Sequence, residues 1–262
     1  GGELFMGQGD GIESRVETPW GSADLYQSGF YRFRPKRLQL QPLLDDFMGP
    51  GNPWGVAFDD WGQIISVDGA GGVTHLSLGQ IPTTHKLRLE LLGDPGGYAG
   101  ITHLDGRHLP KKFHGQFAIG DYKPNRVKCF SVAATGAGFQ LKWEQDLLHS
   151  THRNFRPIDV RMGPDGAVYV VDWYNPIACH QDDKYRDPTR DKAHGRIWRI
   201  SSSQPKVQPP KIAKAPVESV LDALKAPERW TRYQAKRELT TRDAKEVATA
   251  LATWVANLKM SD

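Results

Sequence analysis

The chain is poor in cysteine, with two in 262 residues. That number is too small for a disulfide framework, and leaves Cys129 and Cys179 as either one bond or two buried thiols. No CxxCH occurs, so the chain carries no c-type haem attachment of its own. No apolar run reaches the length of about 18 residues that a membrane-spanning helix needs. No long Lys/Arg run is present and the formal charge is only +4, which argues for a solvated, mildly basic surface and against nucleic-acid binding. There is no signal-peptide pattern either. The first residues, Gly2 to Met6, read as the middle of a strand, so the expectation is a fragment or a processed product.

Glycine and proline, by contrast, are plentiful at 27 and 18. They are spread as punctuation, which suits many short strands joined by turns. The richest stretch runs from Arg153 to Ile200. Pro157 to Met162 alternates apolar and polar residues, Gly163-Pro164-Asp165-Gly166 is a turn, and Val168 to Val171 is a β-branched and aromatic run ending in Asp172. From Trp173 to His194 follows a long polar loop, and Gly195 to Ile200 returns to strand alternation. A loop of that length in a compact domain is functional or disordered, and its aromatics and prolines favour order.

The same pattern recurs. Asn52 to Asp68 aligns with Arg156 to Asp172 without a gap, matching Pro53 with Pro157, Gly62 with Gly166 and Asp68 with Asp172. A third copy covers Gly115 to Asp121 and the strand Arg126 to Val132, and a partial fourth begins at Glu3 to Asp10 and resumes at Gly29 to Phe33. A spacing of roughly fifty residues is that of β-propeller blades. Outer strands are predicted over Leu38–Leu44, Lys86–Leu92 and Gln140–Asp146. Residues 1–203 therefore read as about three to four blades of an all-β propeller. Residues 204–215 are a Pro-rich linker, and 216–262 hold helices over Val217–Lys225, Pro227–Leu239 and Arg242–Lys259, the start of a helical repeat.

In a propeller, the loops between second and third strands share a face with the entries between blades. That face collects Pro50 to Trp54, His152 to Pro157, the loop Asp10 to Ser28 and the loop Asp172 to His194. Asp10, Asp68, Asp121 and Asp172 recur around it. Each could cap its own loop by accepting backbone N–H bonds, or Asp68 and Asp172 could contribute oxygens to a cation site. Within the long loop, His180, Asp182, Asp183, Arg186, Asp187, Arg190, Asp191, His194 and Arg196 alternate in sign. Internal Arg–carboxylate forks would pin such a loop. Alternatively, His194 is a general base and Arg156, Arg186, Arg190 and Arg196 clamp an anionic cofactor or substrate, with Asp159 beside them. His75, His103, His108, His114 and His149 have no comparable company and read as surface or packing residues.

The segments Asn154 to Val160, Gly163 to Pro176 and Tyr185 to Ile200, with Glu17-Thr18-Pro19-Trp20-Gly21 and Asn52-Pro53-Trp54-Gly55, resemble the PVC-type haem-binding CxxCH proteins, also called membrane-bound dehydrogenases. The resemblance covers nearly the whole chain. It implies a six-bladed propeller similar to quinoprotein glucose and sorbosone dehydrogenases, followed by HEAT-type repeats. It further implies oxidation of a sugar or alcohol outside the cytoplasm, with pyrroloquinoline quinone (PQQ) and Ca²⁺ as cofactors and a cytochrome c as electron acceptor. On that pattern the arginines would hold the quinone carboxylates. The chain departs from the family in lacking the N-terminal blades and CxxCH. A non-catalytic carbohydrate- or protein-binding propeller with a helical adaptor is the competing expectation.

Overall fold

The computed structural model describes residues 2–9, 11–44, 51–69, 72–76, 91–92, 96–136, 138–178 and 186–258. Four antiparallel sheets stack face to face in a propeller-like order. The first is β1 (Leu4–Gln8), β4 (Gly29–Arg34) and β5 (Gln39–Leu44). The second is β6 (Pro53–Phe58), β7 (Ile64–Asp68), β8 (Gly72–Leu76) and β9 (Leu91–Leu92). The third is β10 (Tyr98–His103), β11 (Phe117–Asp121), β12 (Arg126–Thr135) and β13 (Gly138–His149), and the fourth β14 (Pro157–Met162), β15 (Val168–Asp172) and β16 (Arg196–Ile200). Among the described residues the stack is not closed into a ring. Of the outer strand predicted over Lys86–Leu92, all but Leu91 and Leu92 lies outside the described residues, as do Asp10 and Cys179.

Each sheet interface has its own apolar core, because alternate residues of a strand face opposite neighbours. Phe30 meets Ile64 and Leu76 between the first two sheets. Val67, Tyr98, Phe117 and Phe130 fill the second interface, and Leu104, Val127, Phe155, Val160 and Val170 the third. A fully buried side chain of this size contributes about 1.5–3 kcal/mol. Cys129 is a free thiol inside the third interface, where burial pushes its pKa up to about 12, so it behaves as a small apolar residue.

The internal repeat is reproduced in the strand register. Pro53 pairs with Asp68 and Gly55 with Val67, just as Pro157 pairs with Asp172 and Asp159 with Val171, each with a bulge between. Two features differ from expectation. The third sheet has an inner strand, β10, that was not predicted, because Tyr-Ala-Gly-Ile-Thr-His lacks the Pro-initiated pattern of its counterparts. The segment 11–28, read as a loop, contains a hairpin, β2 (Ser14–Thr18) with β3 (Gly21–Leu25). The hairpin packs Ala23 and Leu25 on Tyr31 and Leu40, and Trp20 Nε1 donates to Arg37 O at 2.9 Å.

The antiparallel order sends β6–β7, β10–β11 and β14–β15 turns to one face of the stack, and the helical segment docks there. Helices α1 (Val217–Asp222), α2 (Arg229–Leu239) and α3 (Ala244–Ala256) follow residues 204–215. Glu228 accepts from Arg107 Nε at 2.9 Å and Nη2 at 3.0 Å, and is nearly buried. Arg229, first residue of α2, donates its backbone N–H to Asp105 Oδ2 at 2.5 Å and its guanidinium to the carbonyls of Phe58 and Asp59. A sheet-borne carboxylate thus serves an orphan N–H of the helix N-terminus. Buried His108 completes the junction: its Nδ1 lies 3.1 Å from the carbonyls of Gln204 and Pro205, and its Nε2 2.9 Å from Ser201 Oγ.

Close approach of inner strands makes one glycine obligatory. Gly100, at φ +69°, sits in the β10 bulge, and a Cβ there would lie 2.4 Å from Asp159 Cα. Gly62, at φ +83° in an open turn, has nothing within 4 Å. Urea unfolding should show Gly62→Ala costing about 1 kcal/mol and Gly100→Ala more than about 2 kcal/mol, since only the second adds a backbone clash. Equal costs would mean that the inner strands part easily.

Candidate functional site

On the opposite face, the aspartate ending each second strand turns towards the entry of its own sheet. Asp68 accepts Asn52 N–H at 3.0 Å, Asp121 accepts Gly97 N–H at 3.2 Å, and Asp172 accepts Arg156 N–H at 2.8 Å. In all three the donor is the residue immediately before the inner strand. The recurrent role is a latch across the mouth of the sheet. Asp121 adds a buried ion pair with Lys128 at 3.0 Å.

Asp172 does more. Its Oδ1 also accepts Tyr174 N–H at 2.9 Å, while Oδ2 accepts Arg196 Nε at 2.7 Å and Trp198 Nε1 at 3.0 Å. Four donors match the acceptor capacity of a carboxylate. Burial would raise its pKa, but the N–H donors from Arg156, Trp198, Tyr174 and Arg196 outweigh it and hold the carboxyl below its ordinary value.

Arg156 is buried and its guanidinium is spent on chain acceptors. Nε donates to Asn175 O at 2.9 Å, Nη1 to Tyr122 O at 2.8 Å, Lys123 O at 3.2 Å and Asn125 Oδ1 at 3.2 Å, and Nη2 to Pro176 O at 3.0 Å. It ties the β11–β12 turn to the start of the long loop. Desolvation lowers its pKa, with the Asp172 charge acting against that. Asp159 accepts its neighbour's Val160 N–H and pairs with Arg161 at 3.1 Å, so it lies on the sheet of β14 and not in the loop cluster.

The described parts of the long loop are laced together. Buried Asn175 donates to Asp191 O at 3.3 Å; Arg190 reaches Asn175 Oδ1 at 3.4 Å and lies 5.5 Å above the Trp173 ring. Arg186 is exposed. His180, Asp182 and Asp183 lie outside the described residues. Among the described residues, no group of three or more His, Cys, Asp and Glu side chains is placed to hold a metal ion.

His194 stands at the loop's end. Its Nδ1 lies 2.9 Å from Asp191 Oδ2, and its backbone N–H donates to Asp191 Oδ1 at 2.8 Å. Asp191 is held below the ordinary carboxylate range, first by the His194 side chain and then by the Ala193 N–H. A neutral ring that donates from Nδ1 to this carboxylate would leave Nε2 as the acceptor nitrogen, and the side chain is 68% exposed. Around it stand residues that the sequence did not single out: Tyr174, whose ring centroid is 5.9 Å from that of His194, and His152, stacked on Tyr174 at 5.6 Å. The only advance signal was Trp-Tyr-Asn-Pro directly after the strand-ending Asp. His103 and His108, expected at the surface or in packing, are buried, the latter at the helical junction.

A family model described as "Domain of unknown function (DUF7133)" matches residues 80–204. No curated protein matches the chain. Among solved structures, the chain is similar to a soluble aldose sugar dehydrogenase from Escherichia coli in the apo form, with 16% identity, TM-score 0.43, and coverage of 80% of this chain and 61% of that one. The PQQ-bound form of an aldose sugar dehydrogenase from Streptomyces coelicolor has 12% identity and TM-score 0.43, covering 76% and 58%. A protein from Lactobacillus plantarum has 19% identity and TM-score 0.42, covering 66% and 46%. The chain thus spans about half to three fifths of the length of these structures. The functional reading therefore rests on the residues of the chain itself.

Asp172→Asn should be costly, at about 3 kcal/mol or more, because it leaves the Arg196 cation without its partner and replaces an acceptor by a donor. The native pKa of Asp172 is depressed, so its contribution is present above the unfolded value near 3.8 and is lost as pH falls through the lower folded value. Melting temperatures followed from pH 6 to pH 2 should drop less steeply for the variant than for the unsubstituted protein. Parallel curves would place the acid sensitivity elsewhere.

Proposed function

We propose that the chain forms part of a sugar- or alcohol-oxidising propeller in which His194 acts as the general base. The observation that carries this reading is the His194–Asp191 pair: a carboxylate meets Nδ1, and the side chain is largely exposed. An imidazole so oriented would suit removal of the hydroxyl proton while the carbinol hydride passes to a quinone acceptor such as PQQ supplied from outside the chain. The substrate class, a cytochrome c acceptor, an extracytoplasmic location and a six-bladed ring are supported by the motif resemblance alone.

Several of the described candidates for holding a quinone are committed to the chain itself. PQQ carboxylates need guanidinium donors left open by the protein. Arg156 spends all three nitrogens on chain acceptors, Arg196 Nε is taken by Asp172, and Asp159 pairs with Arg161. Among the described residues, Arg196 Nη2, buried without a hydrogen-bond partner, and the exposed Arg186 are the candidate guanidinium groups left to meet a carboxylate. Asp172 likewise has no lone pair left for Ca²⁺ once its four donors are counted. These side chains build the loop face. What they support chemically is the placing of His194.

A second reading is favoured by the same commitments: a non-catalytic carbohydrate-binding propeller. Trp54 and Trp173 are 42% and 40% exposed, and flat aromatic faces beside polar loops suit sugar rings.

The two readings separate in one experiment on the full-length protein. Sugars and polyols are offered with PQQ, Ca²⁺ and a redox dye, and binding is followed by calorimetry. Oxidation should fall by roughly 10²-fold or more in His194→Ala, with the melting temperature within about 1 °C. Saccharide binding without dye reduction would replace the first reading by the second. A large loss of stability in His194→Ala would make His194 a structural part of the loop.

A further inference from the structure

We infer that Tyr174 is the positioning residue of this face: its ring sets the direction of His194 Nε2. The inference rests on the reading of His194 as a base. Tyr174 has φ +56°, a left-handed conformation that glycine or asparagine adopts more readily. A tyrosine there costs about 1 kcal/mol or more relative to glycine. Its backbone need is only to present its N–H to Asp172 Oδ1 at 2.9 Å, which glycine would do as well. The ring is therefore held for what it touches.

It touches three functional side chains at once. The Arg196 guanidinium carbon lies 4.1 Å from the ring centroid. His152 stacks nearly parallel at 27°, and His194 meets the ring edge-on at 73°. Arg196 is in turn fixed by Asp172, and the His152 ring by Asn154 N–H donating to Nδ1 at 3.2 Å. The result is a rigid stack built outward from Asp172, ending at His194. Asp191 pairs with one nitrogen of His194, and Tyr174 holds the ring at that contact, so that losing the Tyr174 ring frees both the orientation and the tautomer. No hydrogen bond to the Tyr174 hydroxyl occurs among the described residues, so the aromatic ring is the part that matters.

The test uses ¹⁵N-labelled full-length protein, reading the His194 ring nitrogens by long-range ¹H–¹⁵N correlation, with turnover measured in parallel. The unsubstituted protein should show His194 as the Nδ1–H tautomer. In Tyr174→Gly the two ring nitrogens should move towards averaged shifts, and kcat should fall about ten- to hundredfold with KM changed much less. Tyr174→Phe should restore the single-tautomer spectrum. Because glycine relieves the left-handed backbone, the melting temperature of Tyr174→Gly should stay within about 3 °C. If it melts earlier, Tyr174→Asn, which also tolerates this φ, replaces it. An unchanged tautomer and kcat in the ring-less variant would overturn the inference. An averaged tautomer in a protein that oxidises no sugar would instead remove the catalytic reading and leave the positioning intact.

Discussion

The four donors on the Asp172 carboxylate are the constraint from which the loop face follows. The residue is almost fully buried, so an ionised carboxyl there would be strongly disfavoured without them. The donors come from three different stretches: Arg156 from the sheet entry, Tyr174 from the loop, Arg196 and Trp198 from β16. One charge therefore fixes the start of β14, the first turn of the loop and the start of β16 together. Asp68 and Asp121 repeat the first of these contacts in their own sheets. The shared contact belongs to the repeat architecture; the additional ones belong to the fourth sheet, and they are what make its loop different.

The opposite face is occupied in a complementary way. Arg229, Glu228, Asp105 and His108 clamp the helical segment to the turns between first and second strands. Antiparallel alternation forces this separation: turns and loops leave a sheet at opposite ends, so an element docked on the turns leaves the loops uncovered. The exposure of His194 and Trp173 is then a consequence of topology as much as of local sequence.

The ungapped match of Asn52–Asp68 to Arg156–Asp172 was legible because it reflects identical strand pairing, bulge included. The inner strand Tyr98–His103 was hidden because its bulge is made by Gly100 in place of a Pro-led entry, and alternation alone does not reveal a strand buried on both faces. At the site, the sequence marked polar side chains and left their partners open. Arg156 reads as an anion clamp when only donors are visible; its acceptors are mostly main-chain carbonyls, which every residue possesses and no side-chain pattern marks. Tyr174 was overlooked for a related reason, since a positive φ is a property of the folded backbone.

A base needs two things that oppose each other: a fixed direction and access to substrate. Fixing a side chain by burial removes access, and exposing it restores rotamer freedom. On the proposed reading of His194 as a base, the loop resolves this by burying the supports in place of the imidazole. Asp172, Asn175 and Arg156 are all buried and spend their polar atoms on neighbouring side chains and main-chain groups, which makes the layer beneath Tyr174 rigid. His194, at the outer end, is exposed while Asp191 and Tyr174 contact its ring. The internal commitment of the arginines is thus no loss of function for the face. It is the condition under which an exposed imidazole can have a single orientation.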